Sequence, residues 1–132
     1  MITYHCDTNV TLHTTLKFQQ NKDCIKAYNS IMRRLQYSKH VVMLQVIDKE
    51  ASAEYKRVIE EDWNYTYQLV PPDFHRRNSA ERAIRTFKGN FLAILDSINP
   101  SLPKFLWDKL LPQTGFNLNL LRQSDLMPTL SA

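Results

Sequence analysis

Apolar and polar residues alternate from the first position, with Ile2, Tyr4 and Cys6 set against Thr3 and His5. After Asp7-Thr8-Asn9 the period of two resumes through Val10, Leu12, Thr14, Leu16 and Phe18. Alternation is the pattern of a half-buried strand and Asp-Thr-Asn supplies turn chemistry, so residues 2–18 predict a β-hairpin. Gln19 to Lys22 is a polar connector. Beyond it Ile25, Tyr28, Ile31 or Met32, and Leu35 recur at helical spacing, predicting a helix from about Lys22 to Tyr37 with Asn21 as its cap. Val41 to Ile47, VVMLQVI, is a run of strand formers of the length of a buried strand, too short for a typical helix, and it ends on Asp48. Ser52 can then cap a short helix to about Glu61, packing Ala53, Tyr55, Val58 and Ile59. Trp63, Tyr65 and Tyr67 lead into an extended run from Thr66 to Val70 and read as sheet-flanking core.

The stretch from Pro71 to Lys88, PPDFHRRNSAERAIRTFK, begins with two prolines that close the extended run. Ala80, Ala83 or Ile84, Phe87, Phe91, Ile94 or Leu95, and Ile98 trace one apolar stripe of a long helix that Asn99-Pro100 ends. Gly89 interrupts the pattern, costs roughly 1 kcal/mol relative to Ala, and is expected to mark a close approach or a bend. Leu102 to Leu111 predicts a short helix interrupted by Pro112, and Phe116 to Leu121 another apolar segment, with Trp107 and the leucines as core.

Chemistry concentrates in the helix after the prolines. Arg76, Arg77, Arg82, Arg85 and Lys88 surround one acid, Glu81, which shares a helix face with Arg85 and Lys88. Asn78 is a good N-cap, so Asn78-Ser79-Ala80-Glu81 also reads as a capping box. Upstream, Asp48 ends the apolar run, and the order is strand, Asp, helix, strand, then the helix bearing Glu81. Parallel strands joined by a helix bring their C-terminal ends to one sheet edge, where sites form. Asp48 and Glu81 are therefore expected at that edge. Asp7 sits at the expected hairpin turn, and Asp23 at a helix start, where the dipole favours an acid.

Composition narrows the class. The 132 residues are 43% hydrophobic and 23% charged, the profile of one globular domain. A net charge of +4 favours a polyanionic partner only weakly, so distribution matters more than the sum. Cys6 and Cys24 are too few and too badly spaced for zinc, and the four histidines form no metal-type pairing with them. No GxSxG or phosphate-binding loop occurs, and the chain holds only two glycines. With no apolar run of membrane length and no signal pattern, a soluble intracellular protein with reduced cysteines, not secreted and without membrane contact, is expected.

NSAERAIRTFK, with QLVPPDFHRRN before it, DKEAS after the apolar run and FLWDKLLPQTGFNLNLLRQS near the end, resembles the integrase core of copia-type retrotransposon polyproteins. The resemblance runs over nearly the whole chain in the family's order. It implies an RNase H-like α/β fold of three layers, here with an incomplete sheet of about four strands and helices on both faces. It also implies a single partial domain over 1–132, with sheet and main helices in 1–99 and a C-terminal helical extension, cut short, in 100–132. The family carries a DDE carboxylate triad binding two Mg2+ or Mn2+ ions. Asp48 matches its second Asp and Glu81, 33 positions on, its Glu. YHCDTNVTL resembles the family's second-to-third-strand hairpin, so the strand bearing the first Asp is expected before Met1. Asp7 would be a ligand only if Met1–Asp7 were that first strand. The resemblance further implies DNA as partner, held by Arg76, Arg77, Arg82, Arg85 and Lys88. It implies a nuclear location, no small-molecule cofactor, and an ancestral role in metal-dependent polynucleotidyl transfer with no activity expected alone. Self-association or association with the rest of a polyprotein is expected. The alternative is a non-catalytic nucleic-acid-binding or interaction module derived from such a core.

Overall fold

The computed structural model describes the chain except residues 17, 19, 49–50, 71–78, 99–100 and 102. It is a mixed α/β protein. Its element order is β1 (Ile2–His5), β2 (Val10–His13), α1 (Asn21–Tyr37), β3 (Leu44–Ile47), α2 (Ala53–Arg57), a π-helical turn (Val58–Asp62), β4 (Thr66–Leu69), α3 (Ser79–Ser97), a 3-10 segment (Lys104–Leu110) and α4 (Leu111–Leu120). Among the described residues the four strands form two separate two-stranded sheets, β1 antiparallel to β2 and β3 parallel to β4, in place of one incomplete sheet. The chain divides into two compact units, one of Met1 and Leu16–Asn78, the other of Ile2–Thr15 and Ser79–Ala132.

In the first unit α1 supplies the core. Ala27, Tyr28, Ile31, Met32 and Leu35 are buried, at the spacing the sequence predicts, together with Ile47, Val58, Ile59 and Val70. Complete burial of Ile31 and Ile59 contributes roughly 1.5–3 kcal/mol each. Tyr28 sits at the centre of an aromatic group, edge-on to Tyr55 at 5.0 Å and to Trp63 at 6.5 Å, with Trp63 stacked on Tyr65. Its hydroxyl donates to Gln45 Oε1 at 2.6 Å, tying α1 to β3, and Trp63 Nε1 donates to Asn29 Oδ1. Burial raises the pKa values of both Tyr28 and Tyr55 above the ordinary tyrosine range.

Several expectations in this unit need correction. Asn21 lies inside α1, and Gln20 occupies the cap position without a side-chain bond. Ser52 does cap α2, accepting from the Tyr55 N–H at 3.2 Å. The apolar run is not a buried strand: β3 keeps only Leu44–Ile47, and Leu44 and Val46 are about half exposed while Ile47 is buried. The Tyr28–Gln45 contact shows which face of β3 is covered. Leu44 and Val46 alternate with Gln45 and Ile47, so they point to the opposite face.

In the second unit α3 packs on β1 and α4 on β2. Its buried apolar side chains are Leu12, Ala83, Phe87 and Leu118. The hairpin is shorter than predicted, since β2 ends at His13 and Phe18 is exposed. Pro112 does not interrupt a helix. It lies in the first turn of α4, where its missing N–H has no intrahelical partner to lose. Trp107 is half exposed, meeting Phe91 edge-on at 6.2 Å, and Leu120 and Leu121 are exposed, so the aromatic and leucine core expected there is formed only in part, by Leu118.

The two glycines separate cleanly. A Cβ on Gly89 meets nothing within 4 Å, so no close approach explains it, and α3 continues through it. A Cβ on Gly115 would overlap the His13 ring, which also meets Phe87 at 5.2 Å between centroids. Gly89→Ala should therefore stabilise by about 0.5–1 kcal/mol, as ordinary helix propensity gives. Gly115→Ala should cost about 1–3 kcal/mol by overpacking, outweighing the same propensity gain. Thermal melts showing equal shifts for the two would contradict this account.

The tyrosines set the alkaline limit. A folded-state pKa above the unfolded value of about 10 means that, above that pH, the unfolded chain has released protons the folded chain retains. Stability is then full below about pH 10 and falls as pH rises beyond it. Tyr55→Phe should flatten that fall in denaturant titrations across this range, leaving stability at neutral pH nearly unchanged.

Candidate nucleic-acid interface and carboxylates

Asp48 directly follows β3, at the end where both strands of the parallel pair point. It is exposed, and its carbonyl accepts from the Ala51 N–H at 3.1 Å, turning the chain towards the Ser52 cap. Glu81 is half-buried in the first turn of α3. Asp48 thus belongs to the first unit and Glu81 to the second. Asp7 is exposed in the turn between β1 and β2, where the Asn9 N–H reaches the Cys6 carbonyl at 3.3 Å and Asn9 takes a φ of 59°.

Two divalent ions need several converging carboxylate oxygens. Among the described residues no group of three or more His, Cys, Asp or Glu could hold a metal ion.

The cations are better placed. Arg82, Arg85 and Lys88 are all exposed on α3, while Ala83 and Phe87 are buried on its other side. Thr86 donates its hydroxyl to the Arg82 carbonyl, and Asn90 donates to the Thr86 carbonyl at 3.0 Å, so the polar side is locally knitted along the helix. Arg76, Arg77 and the Asn78 cap lie outside the described residues. Arg122, which sequence reasoning missed, donates to Thr11 Oγ1 at 3.1 Å. Burial of Tyr4 raises its hydroxyl pKa, Cys6 and Asp125 add to the rise, and Arg122 and Arg82 oppose it. Both arginines therefore act electrostatically on one hairpin residue.

Asn119 was also missed. Its Oδ1 accepts from the Thr11 N–H at 2.9 Å and its Nδ2 donates to the Thr11 carbonyl at 3.1 Å, so one side-chain amide completes both main-chain groups of a buried strand residue. Asn9 Nδ2 in turn donates to the Gln123 carbonyl. Asn119 and Thr11 stand 108 positions apart, and no local spacing announces them.

No family model matches the chain, and neither a curated protein nor a solved structure matches it. No helix among the described residues is long and apolar enough to cross a membrane.

Asn119→Ala leaves the Thr11 N–H and carbonyl without their partner in a buried position and should cost about 1–3 kcal/mol. Asn117→Ala, on the same helix with only an exposed bond from Gln113, should stay within about 0.5 kcal/mol of the parent. Equal melting shifts for the two would show that the amide does not hold the strand.

Proposed function

We propose that this chain is a portion of a retrotransposon-type integrase core that holds DNA through the cationic side of α3 and does not catalyse strand transfer by itself. The observation that carries the binding role is the exposure of Arg82, Arg85 and Lys88 along one helix. Cations so arranged contact backbone phosphates, giving affinity and salt dependence with little reading of sequence. A nuclear location belongs to the same proposal.

The lineage rests on the residues quoted above and finds support in β3, Asp48, α2 and β4, a parallel strand pair with a helix between and an acid at its C-terminal end. The family's two-ion chemistry is not assigned to this chain, because the described residues do not supply its donor set. A recruited binding module would keep the same cationic helix, and the two readings share one measurable property.

That property is salt-dependent binding to duplex DNA. With five phosphate contacts from Arg76, Arg77, Arg82, Arg85 and Lys88, log K should fall with log salt at a slope of about −4. The Arg82→Ala, Arg85→Ala double variant should make the slope shallower by about 2. A flat salt response, or unchanged affinity in the double variant, removes the nucleic-acid role. Strand transfer by the chain alone in Mn2+ would remove the non-catalytic part.

A further inference from the structure

We propose that the outer edge of β3 is a self-association surface, on which a second copy of this chain pairs antiparallel about a two-fold axis at Leu44. The Val70 N–H donates to the Ile47 carbonyl at 3.0 Å, so the main chain of Ile47 faces the β4 side. Along a strand these groups alternate in direction, which turns the main-chain groups of Leu44 and Val46 away from β4. Among the described residues β4 is the one strand paired with β3.

Among the described residues this edge carries none of the usual protection. From Val41 to Ile47 there is no charge and no proline, and Val41 and Met43 are each 80% exposed, with Leu44 and Val46 at 53% and 52%. Natural edges of this kind are blunted by charge, proline or a bulge because an unprotected one pairs with another strand. A two-stranded sheet is also marginal in isolation.

The occupant follows from the symmetry of the run. Centred on Leu44, an antiparallel pair sets Leu44 against itself, Val42 against Val46 of the second copy, Val41 against its Ile47, and His40 against its Asp48. Apolar residues meet apolar residues, and the two polar ends meet a potential cation with an anion. The outward-facing main-chain groups of Leu44 then oppose each other, and those of Val46 oppose position 42. A shift by one residue would set outward groups against inward ones, and a shift by two would place Asp48 or His40 opposite a valine. Such self-complementarity is what a two-fold interface between identical chains requires.

The test exploits the axis. Sedimentation velocity and light scattering on the full chain, with reductant present because Cys6 is exposed, should show the mass doubling as concentration rises. Leu44→Lys and Leu44→Glu each place like charges opposite one another and should remain monomeric, with far-UV circular dichroism unchanged because the position is half exposed. Mixed in equal amounts, the two variants should form a heterodimer. A parent chain that stays monomeric, single variants that still dimerise, or folded variants whose mixture stays monomeric would each overturn the proposal.

Discussion

A two-stranded sheet has two outer edges, and the main-chain groups along them need partners as much as those between the strands do. Both halves of this chain contain such a sheet and meet that requirement differently. In the hairpin unit a side chain takes the place of a strand. Asn119 completes Thr11 on β2, and Arg122 bonds the Thr11 hydroxyl. The last residues fold back locally, with the Ala132 N–H on the Arg122 carbonyl and the Ser124 N–H on the Leu130 carbonyl. That arrangement fixes α4 on the hairpin, and the contact of His13 with Gly115 is its close-packed counterpart.

The other unit solves its covered face and leaves an edge. α1 contributes a run of buried side chains, and Tyr28 combines aromatic contacts with a hydroxyl bond to β3. Packing and hydrogen bonding thus converge on one residue, and burial raises the hydroxyl pKa values of Tyr28 and Tyr55. On the opposite face the same strand exposes its aliphatic residues. A parallel pair is ordinarily covered on both faces, so an open one with an apolar edge favours further association.

Function divides along the same line. Charge on α3 is a property of one helix and needs no convergence of distant elements, so a binding role rests on local evidence. Metal-dependent transfer requires several acids to meet within a few ångströms, and no group of three metal-type side chains occurs among the described residues.

The sequence by itself determined the elements whose signal is short-range. The helical stripe of α1, the hairpin with its Asp7-Thr8-Asn9 turn, the Ser52 cap and the cationic side of α3 could all be read from spacing, because each is decided by neighbours within a few positions. What only the tertiary structure decided involves partners far apart in the chain. The period of two extended through Phe18, yet β2 stops at His13. The aliphatic run from Val41 matched a buried strand, but hydrophobicity records what a residue prefers and not whether a second layer exists to cover it. Trp107 and Leu121 were misread as core for the same reason. Asn119 looked like an ordinary polar helix residue, and only the fold, by bringing it to Thr11, made it the partner of both main-chain groups on the outer side of β2.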